Sequence, residues 1–398
     1  MDLIVEHLVM KKKMRVAMIA GEPSGDFLGA GLIAAMQTIE PTIEFIGIGG
    51  PLMRELGFDA VYPMEQIAVM GISDVLRCYP RLKWIHHKMT RYLINNPPDL
   101  FVGIDAPDFN LRIEVLLKQR GVKTAHYVCP KFWAWRPERV HQIQKAVDLL
   151  LSVFPFELPF CEPYGIPVKY VGHPLADLID LTIDTVAMKE KWGYASDQTV
   201  IAVLPGSRHG ELRHMGPLFI DVMQQIQLSR PDIQFIVPLG SDALREPFTQ
   251  QLKDKNYPLN LQIVDKHSRE VLGAADVVLV KSGTSTLEAA LLKKPMVVAF
   301  KMSWLSHRII AARLLVPYIA LPNLLANQLL VPEFIQDDAC PAHMARAVLD
   351  LLEDQARKIN LEQKFINIHL ALRQGANQQA ATALFKLVKA DSLGHAFF

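Results

Sequence analysis

Two carboxylates, Asp105 and Asp108, stand just past an apolar run in FVGIDAPDFN. The run, residues 100–104, reads as a buried parallel strand, and ligands of open α/β sheets bind beyond the carboxyl ends of the strands. A carboxylate there can take a proton from a substrate hydroxyl. Either aspartate could instead cap a helix beginning near Asn110. Taken alone this segment favours the cap; the other junctions of the chain reverse that preference.

Three further strand-to-helix junctions carry chemistry-bearing residues. The first strand runs into GEPSGDFLGAGL, where Gly21, Ser24, Gly25 and Asp26 offer small groups and free backbone amides to an anion or a sugar, or cap the following helix. It is neither a dinucleotide fingerprint nor a Walker A loop, because GxGxxG and GK[ST] are both absent. In LPGSRHGEL, Gly206 and Ser207 make a turn and Arg208 stands at the mouth of a helix, a bidentate partner for phosphate. In KSGTSTLEAAL, Ser282, Gly283 and Thr284 place hydroxyls and amides at a helix N-terminus, and Glu288 lies one turn in, where it could accept from ribose hydroxyls or offset the helix dipole. PGSR and SGTSTLE within one α/β domain are far more specific than either alone. The loop YVCPKFWAWRPERV puts Trp133, Trp135 and Arg136 directly after a strand, as a wall beside the cleft or as filling at an interface. Cys129 has no base beside it and is not read as a nucleophile.

These junctions need sheets to hold them. Apolar, β-branched runs recur at residues 16–20, 44–47, 100–104, 124–128, 149–153 and 168–171, then at 199–204, 234–238, 261–264, 277–280 and 296–299, with helical patterns between them. Such alternation implies βαβ units, parallel sheets and doubly wound α/β domains. The two series read as two domains joined by a linker at about residues 172–185, and the chain from about residue 355 is helical in pattern. The 398 residues suffice for this. Half are hydrophobic and 21% charged, with a net charge of +1, so no global field recruits nucleic acid. Four scattered cysteines argue against a disulfide framework or structural zinc and fit a reducing compartment. No apolar stretch reaches transmembrane length. The opening MDLIVEHLVMKKKM has its charges after its apolar part, the wrong order for a secretory signal, and Met14 could be the true start.

Two segments point to a membrane surface. Residues 75–95 contain Arg77, Arg81, Lys83, Lys88 and Arg91, two histidines and no acid, interleaved with Tyr79, Trp84 and aliphatic residues. Residues 289–332 also lack acids and repeat the basic-apolar mix in WLSHRIIAARLLVPY. An interfacial helix on an anionic bilayer needs this composition; an amphipathic helix with a solvated basic face needs only part of it. Neither segment settles the matter alone; together they favour membrane contact.

GEPSGDFLGAGL, AVMGISDVL, FVGIDAPDFN, HYVCPKFWAWRPERV, LPGSRHGEL, SGTSTLEAAL and LPNLLANQLLVPEFIQ occur in the order found in lipid-A-disaccharide synthases, and the chain resembles that family from about Arg15 to about Ala342. The resemblance implies the GT-B fold, two Rossmann-like doubly wound parallel-sheet domains facing across a cleft. Residues 14–173 would form the acceptor and membrane-facing domain and 174–360 the UDP-sugar domain. Residues 361–398 would be a helical tail packing back on the N-terminal domain or on a partner chain, as in a homodimer. The implied reaction transfers 2,3-diacylglucosamine from UDP-2,3-diacylglucosamine to the 6-hydroxyl of 2,3-diacylglucosamine 1-phosphate, with inversion, giving a β-1,6-linked disaccharide 1-phosphate and UDP. By the same resemblance Asp105 is the base, Arg208 opposes the leaving diphosphate, Asn323 hydrogen-bonds the nucleotide or diphosphate, Glu288 holds the ribose, and neither cofactor nor metal is needed. Acylated substrates would account for the basic-apolar segments and for a cytoplasmic enzyme held peripherally at the inner membrane of a Gram-negative cell. The chain departs from the family at Cys129, usually serine, and at Lys131 and Lys281, where small or polar residues are usual. Two other readings stay behind this one: a UDP-sugar 2-epimerase of the same fold, and a non-catalytic nucleotide-sugar sensor.

Overall fold

The computed structural model describes residues 13–67 and 72–394. Seven strands form the first sheet: β1 (Arg15–Ala20), β2 (Glu44–Gly49), β3 (Asp59–Pro63), β4 (Leu100–Ile104), β5 (Lys123–Tyr127), β6 (Leu149–Ser152) and β7 (Val168–Tyr170). Six form the second: β8 (Val200–Leu204), β9 (Gln234–Leu239), β10 (Leu261–Asp265), β11 (Val277–Lys281), β12 (Met296–Phe300) and β13 (Glu333–Ile335). All pairings are parallel, in the orders β3-β2-β1-β4-β5-β6-β7 and β10-β9-β8-β11-β12-β13. This is the two-domain doubly wound α/β architecture expected from the strand alternation.

Helices cover both faces of each sheet, so the central strands read as unbroken apolar runs. Every residue of β4 and of β8 is buried. The core follows from this: Val16, Met18, Val102 and Ile104 in the first sheet, and Ile201, Val203, Leu279 and Val298 in the second, belong to one buried cluster that continues into the C-terminal helices. In each sheet the strand order reverses at one place, between β1 and β4 and between β8 and β11. There the flanking connections leave in opposite directions and open a crevice at the carboxyl ends.

The chain crosses back at the end. The helix Gln355–Leu372 packs on the second domain, and the helix Ala376–Gly394 lies against Pro23–Ile39 of the first. A boundary at residue 360 falls inside the former helix. The return is pinned by Asp177, whose carboxylate accepts from the amides of Gly375 and Ala376 at 2.9 and 2.6 Å, and by the His173 amide donating to the Leu372 carbonyl at 2.9 Å.

The helix Ile72–Asn95 buries Ile85, Met89 and Leu93 against the outer face of the first sheet. Its opposite face exposes Arg81, Lys83, Trp84, Lys88 and Arg91. The side chain of Arg77 lies outside the described residues. Among the described residues no helix is long and apolar enough to cross a membrane.

Candidate functional site

A cleft of about 580 Å³ opens where the two switch points face each other. Glu22 and Ser24 follow β1, Asp105 follows β4, Ser207 and Arg208 follow β8, and Lys281 with Gly283, Thr284 and Ser285 ends β11; all line the cleft. Loops after neighbouring strands add Lys131, Gly240, Lys266 and His267.

The loop that carries Asp105 is shaped by its backbone. Asp105 and Ala106 adopt left-handed φ values of 50° and 43°, rare for residues with a side chain. The turn is held by the Asp105 amide donating to the Tyr127 carbonyl at 2.9 Å and by Asn110, fully buried, whose Nδ2 donates to the Asp105 carbonyl at 2.8 Å and the Ile19 carbonyl at 3.2 Å. The helix begins at Pro107, not near Asn110, and neither aspartate caps it. Asp105 is left with a half-buried carboxylate facing the cleft that has no ion pair or side-chain hydrogen bond among the described residues. Asp108 points away, exposed, to Arg139 and Arg136.

Across the cleft, the Arg208 guanidinium donates to Glu22 Oε2 at 2.7 Å, a bridge between the two domains. Gly206 precedes it with φ 121°, and a Cβ there would stand 2.7 Å from Glu211 Cβ, so the turn requires glycine. That close approach lets Glu211 Oε2 accept from the Ser207 amide at 3.0 Å while its Oε1 meets Lys281 Nζ at 2.9 Å. The cleft thus sets a carboxylate on one wall against cations and helix-terminal amides on the other, the arrangement for deprotonating a hydroxyl opposite a departing anion.

Residues 16–387 match the family model described as lipid-A-disaccharide synthetase. The chain is 49% identical over 385 residues to lipid-A-disaccharide synthase 2 of Legionella pneumophila strain Lens, covering 97% of this chain and 100% of the relative. It is 47% identical over 380 residues to the lipid-A-disaccharide synthase of Pseudomonas paraeruginosa, covering 96% and 100%. The chain belongs to the lipid-A-disaccharide synthase family. As a member it is a glycosyltransferase of lipid A biosynthesis. Among solved structures, the UDP-GlcNAc 2-epimerase of Neisseria meningitidis superposes with a TM-score of 0.66 over 94% of this chain and 100% of that one, at 16% identity. That likeness is one of fold.

Against this family background the structure sorts the residues expected at the site. Asp105, Arg208, Ser24, Gly283 and Thr284 line the cleft. Gly21 and Gly25 lie beneath it as packing positions: a Cβ on either would stand 3.2 Å from Ala106 Cβ or 3.3 Å from Ala20 Cβ. Asp26 does not face the cleft and does not cap its own helix; it is buried and accepts from the amides of Gly50, Leu52 and Met53 at 2.9–3.1 Å, tying the loop after β2 to the first helix. The Ser282 hydroxyl is turned to the Ile319 carbonyl at 2.8 Å. Glu288 is largely covered, 3.6 Å from Arg269, and burial raises its carboxyl above the usual range. Trp135 does not line the cleft; Arg136 stacks on its ring at 4.1 Å, and Trp133 is packed edge-on against Phe156.

Asn323 does not line the cleft. It is fully buried, and its four hydrogen-bonding positions are filled from within the chain. Nδ2 donates to the Val331 carbonyl at 2.9 Å and Glu333 Oε1 at 2.7 Å, while Oδ1 accepts from the Leu330 and Val331 amides at 2.8 and 2.9 Å. Glu333 in turn accepts from the Ile319 and Ala320 amides. Asn323 therefore braces the segment around β13 and has nothing left to offer a nucleotide in this arrangement. Conversely, Glu22, Glu211, Lys266 and His267 line the cleft without having been singled out. Position just past a strand was the available signal for all but Glu211, which lies in the first turn of the helix after β8.

Proposed function

We propose that this cleft binds UDP-2,3-diacylglucosamine on its C-terminal wall and 2,3-diacylglucosamine 1-phosphate on its N-terminal wall. Asp105 takes the proton of the acceptor 6-hydroxyl as its oxygen attacks the donor's anomeric carbon. The bond from that carbon to the diphosphate oxygen breaks, and UDP departs with both bonding electrons. Attack from the face opposite the leaving group inverts the centre and leaves a β-1,6 linkage. Arg208 and the amides of Gly283–Ser285 oppose the charge developing on the diphosphate, where preorganised donors act most strongly. The observation that carries this reading is the convergence of the loops following β1, β4, β8 and β11 on one cleft, with the unpaired Asp105 on one side and Arg208 on the other.

The acyl chains call for a membrane. The exposed Arg81, Lys83, Trp84, Lys88 and Arg91 face of the helix Ile72–Asn95 supports peripheral docking on an anionic leaflet, which we assign to the cytoplasmic side of the inner membrane. Replacing Arg208 with Ala should weaken UDP binding measured by calorimetry and lower the rate of disaccharide formation together. A variant that keeps both would remove Arg208 from the phosphate site.

A further inference from the structure

Lys281 is the last residue of β11, at the floor of the cleft, and its side chain is only 16% exposed. It is aimed rather than solvated. Its Nζ lies 2.9 Å from Glu211 Oε1, 5.2 Å over the Phe300 ring, and 3.7 Å from where a Cβ on Gly283 would stand, beside the amides that open the helix Thr284–Leu291. Glu211 holds two things at once, the Lys281 ammonium and the Ser207 amide of the loop that carries Arg208. It therefore fixes a second cation on the side of the cleft nearest the Arg208 loop.

We infer that Lys281 is a ligand of the diphosphate of the sugar nucleotide, contacting the phosphate whose oxygen leaves the sugar, with Glu211 as the residue that positions it. The inference rests on the nucleotide-sugar reading above. The departing group gains its negative charge on the terminal phosphate, which must lie toward Asp105 because the base and the broken bond share one reaction centre. Arg208 shares its guanidinium with Glu22, so one arginine leaves that charge incompletely opposed. A half-sequestered ammonium next to helix-terminal amides completes the set.

The test is calorimetric binding of UDP and of UMP to the full chain, as wild type, Lys281→Met, Lys281→Arg and Glu211→Gln, with thermal melts of each. Loss of a charge-assisted hydrogen bond predicts about a 10- to 100-fold weaker UDP affinity for Lys281→Met, with UMP affinity little changed. Lys281→Arg should restore most of the UDP affinity, and Glu211→Gln, which keeps an acceptor for the Ser207 amide, should lose less than Lys281→Met. Equal losses for UDP and UMP, or a lower melting temperature that accounts for the loss, would make the Lys281–Glu211 pair structural and overturn the inference. Wild type that binds UDP with Lys281→Met undiminished overturns the Lys281 assignment alone. Wild type that binds no UDP overturns the nucleotide reading and this inference with it.

Discussion

Asp105 and Asn323 are both polar residues in motifs that invite a functional role, yet the chain treats them oppositely. Asp105 stands on a left-handed turn whose backbone bonds are all made by others, so its carboxylate stays available. Asn323 is consumed by the backbone around β13. Asn323→Ala should consequently behave as a core lesion. Stranding the Leu330 and Val331 amides and a Glu333 oxygen costs about 2–4 kcal/mol of unfolding free energy in urea, and UDP affinity should hold in whatever fraction remains folded. A selective loss of UDP binding with unchanged stability would return Asn323 to the site. The difference between the two residues was not legible in the sequence. Sequence shows where a polar side chain falls relative to a strand end; it does not show whether distant backbone will use up its hydrogen bonds. Asp26 shows the same thing, its carboxylate captured by three amides of the loop after β2.

At the scale of elements, the eleven strand runs read from the sequence each coincide with a strand: nine lie inside the sheets, where burial on both faces demands apolar residues, and two, β7 and β10, are edges that keep an apolar run. The two strands not anticipated, β3 (DAVYP) and β13 (EFI), are sheet edges with no fully buried residue, and each opens on an acid that breaks its apolar run. The crossover region carries a pH-dependent balance. His173 caps the helix Pro174–Leu178 by accepting the Leu175 amide on Nδ1 at 3.2 Å, which requires a neutral ring, and burial lowers its pKa from 6.5 to about 4. Its contribution is complete above pH 6.5 and is lost as pH falls toward 4. Buried Glu157, hydrogen-bonded to Ser152, has the opposite sign: burial raises its pKa from 4.5 to about 8, so its contribution is complete below pH 4.5 and is lost as pH rises toward 8. Between pH 5 and 7 the two slopes oppose each other. Relative to His173→Asn, the wild type should lose about 1–2 kcal/mol on going from pH 7 to pH 5; relative to Glu157→Gln, it should gain a similar amount. Urea melts of the three proteins at both pH values check this, and parallel curves would refute it.

The whole molecule joins two doubly wound domains so that their switch points face, then returns its last helix to the first domain. Strand alternation made the two domains legible, but no local pattern could announce the Glu22–Arg208 bridge, whose partners lie 186 residues apart and in different domains. The basic face of the helix Ile72–Asn95 belongs to this scale too, because the docking proposed for it would set the orientation of the cleft to a bilayer. Replacing Arg81, Lys83, Lys88 and Arg91 with Ser should weaken sedimentation with anionic vesicles, by a margin that shrinks as salt rises. Binding equal to wild type at low salt would discard that face as a docking surface. Everything in the proposed chemistry turns on Asp105 as the base of a sugar transfer between two acylated glucosamines. Its most direct test is a mass-spectrometric assay with UDP-2,3-diacylglucosamine and 2,3-diacylglucosamine 1-phosphate in mixed micelles, comparing wild type with Asp105→Ala. Wild type should give a disaccharide monophosphate and the variant a turnover about 10²–10⁴-fold lower, with UDP affinity retained. Equal turnover by the two proteins would contradict it.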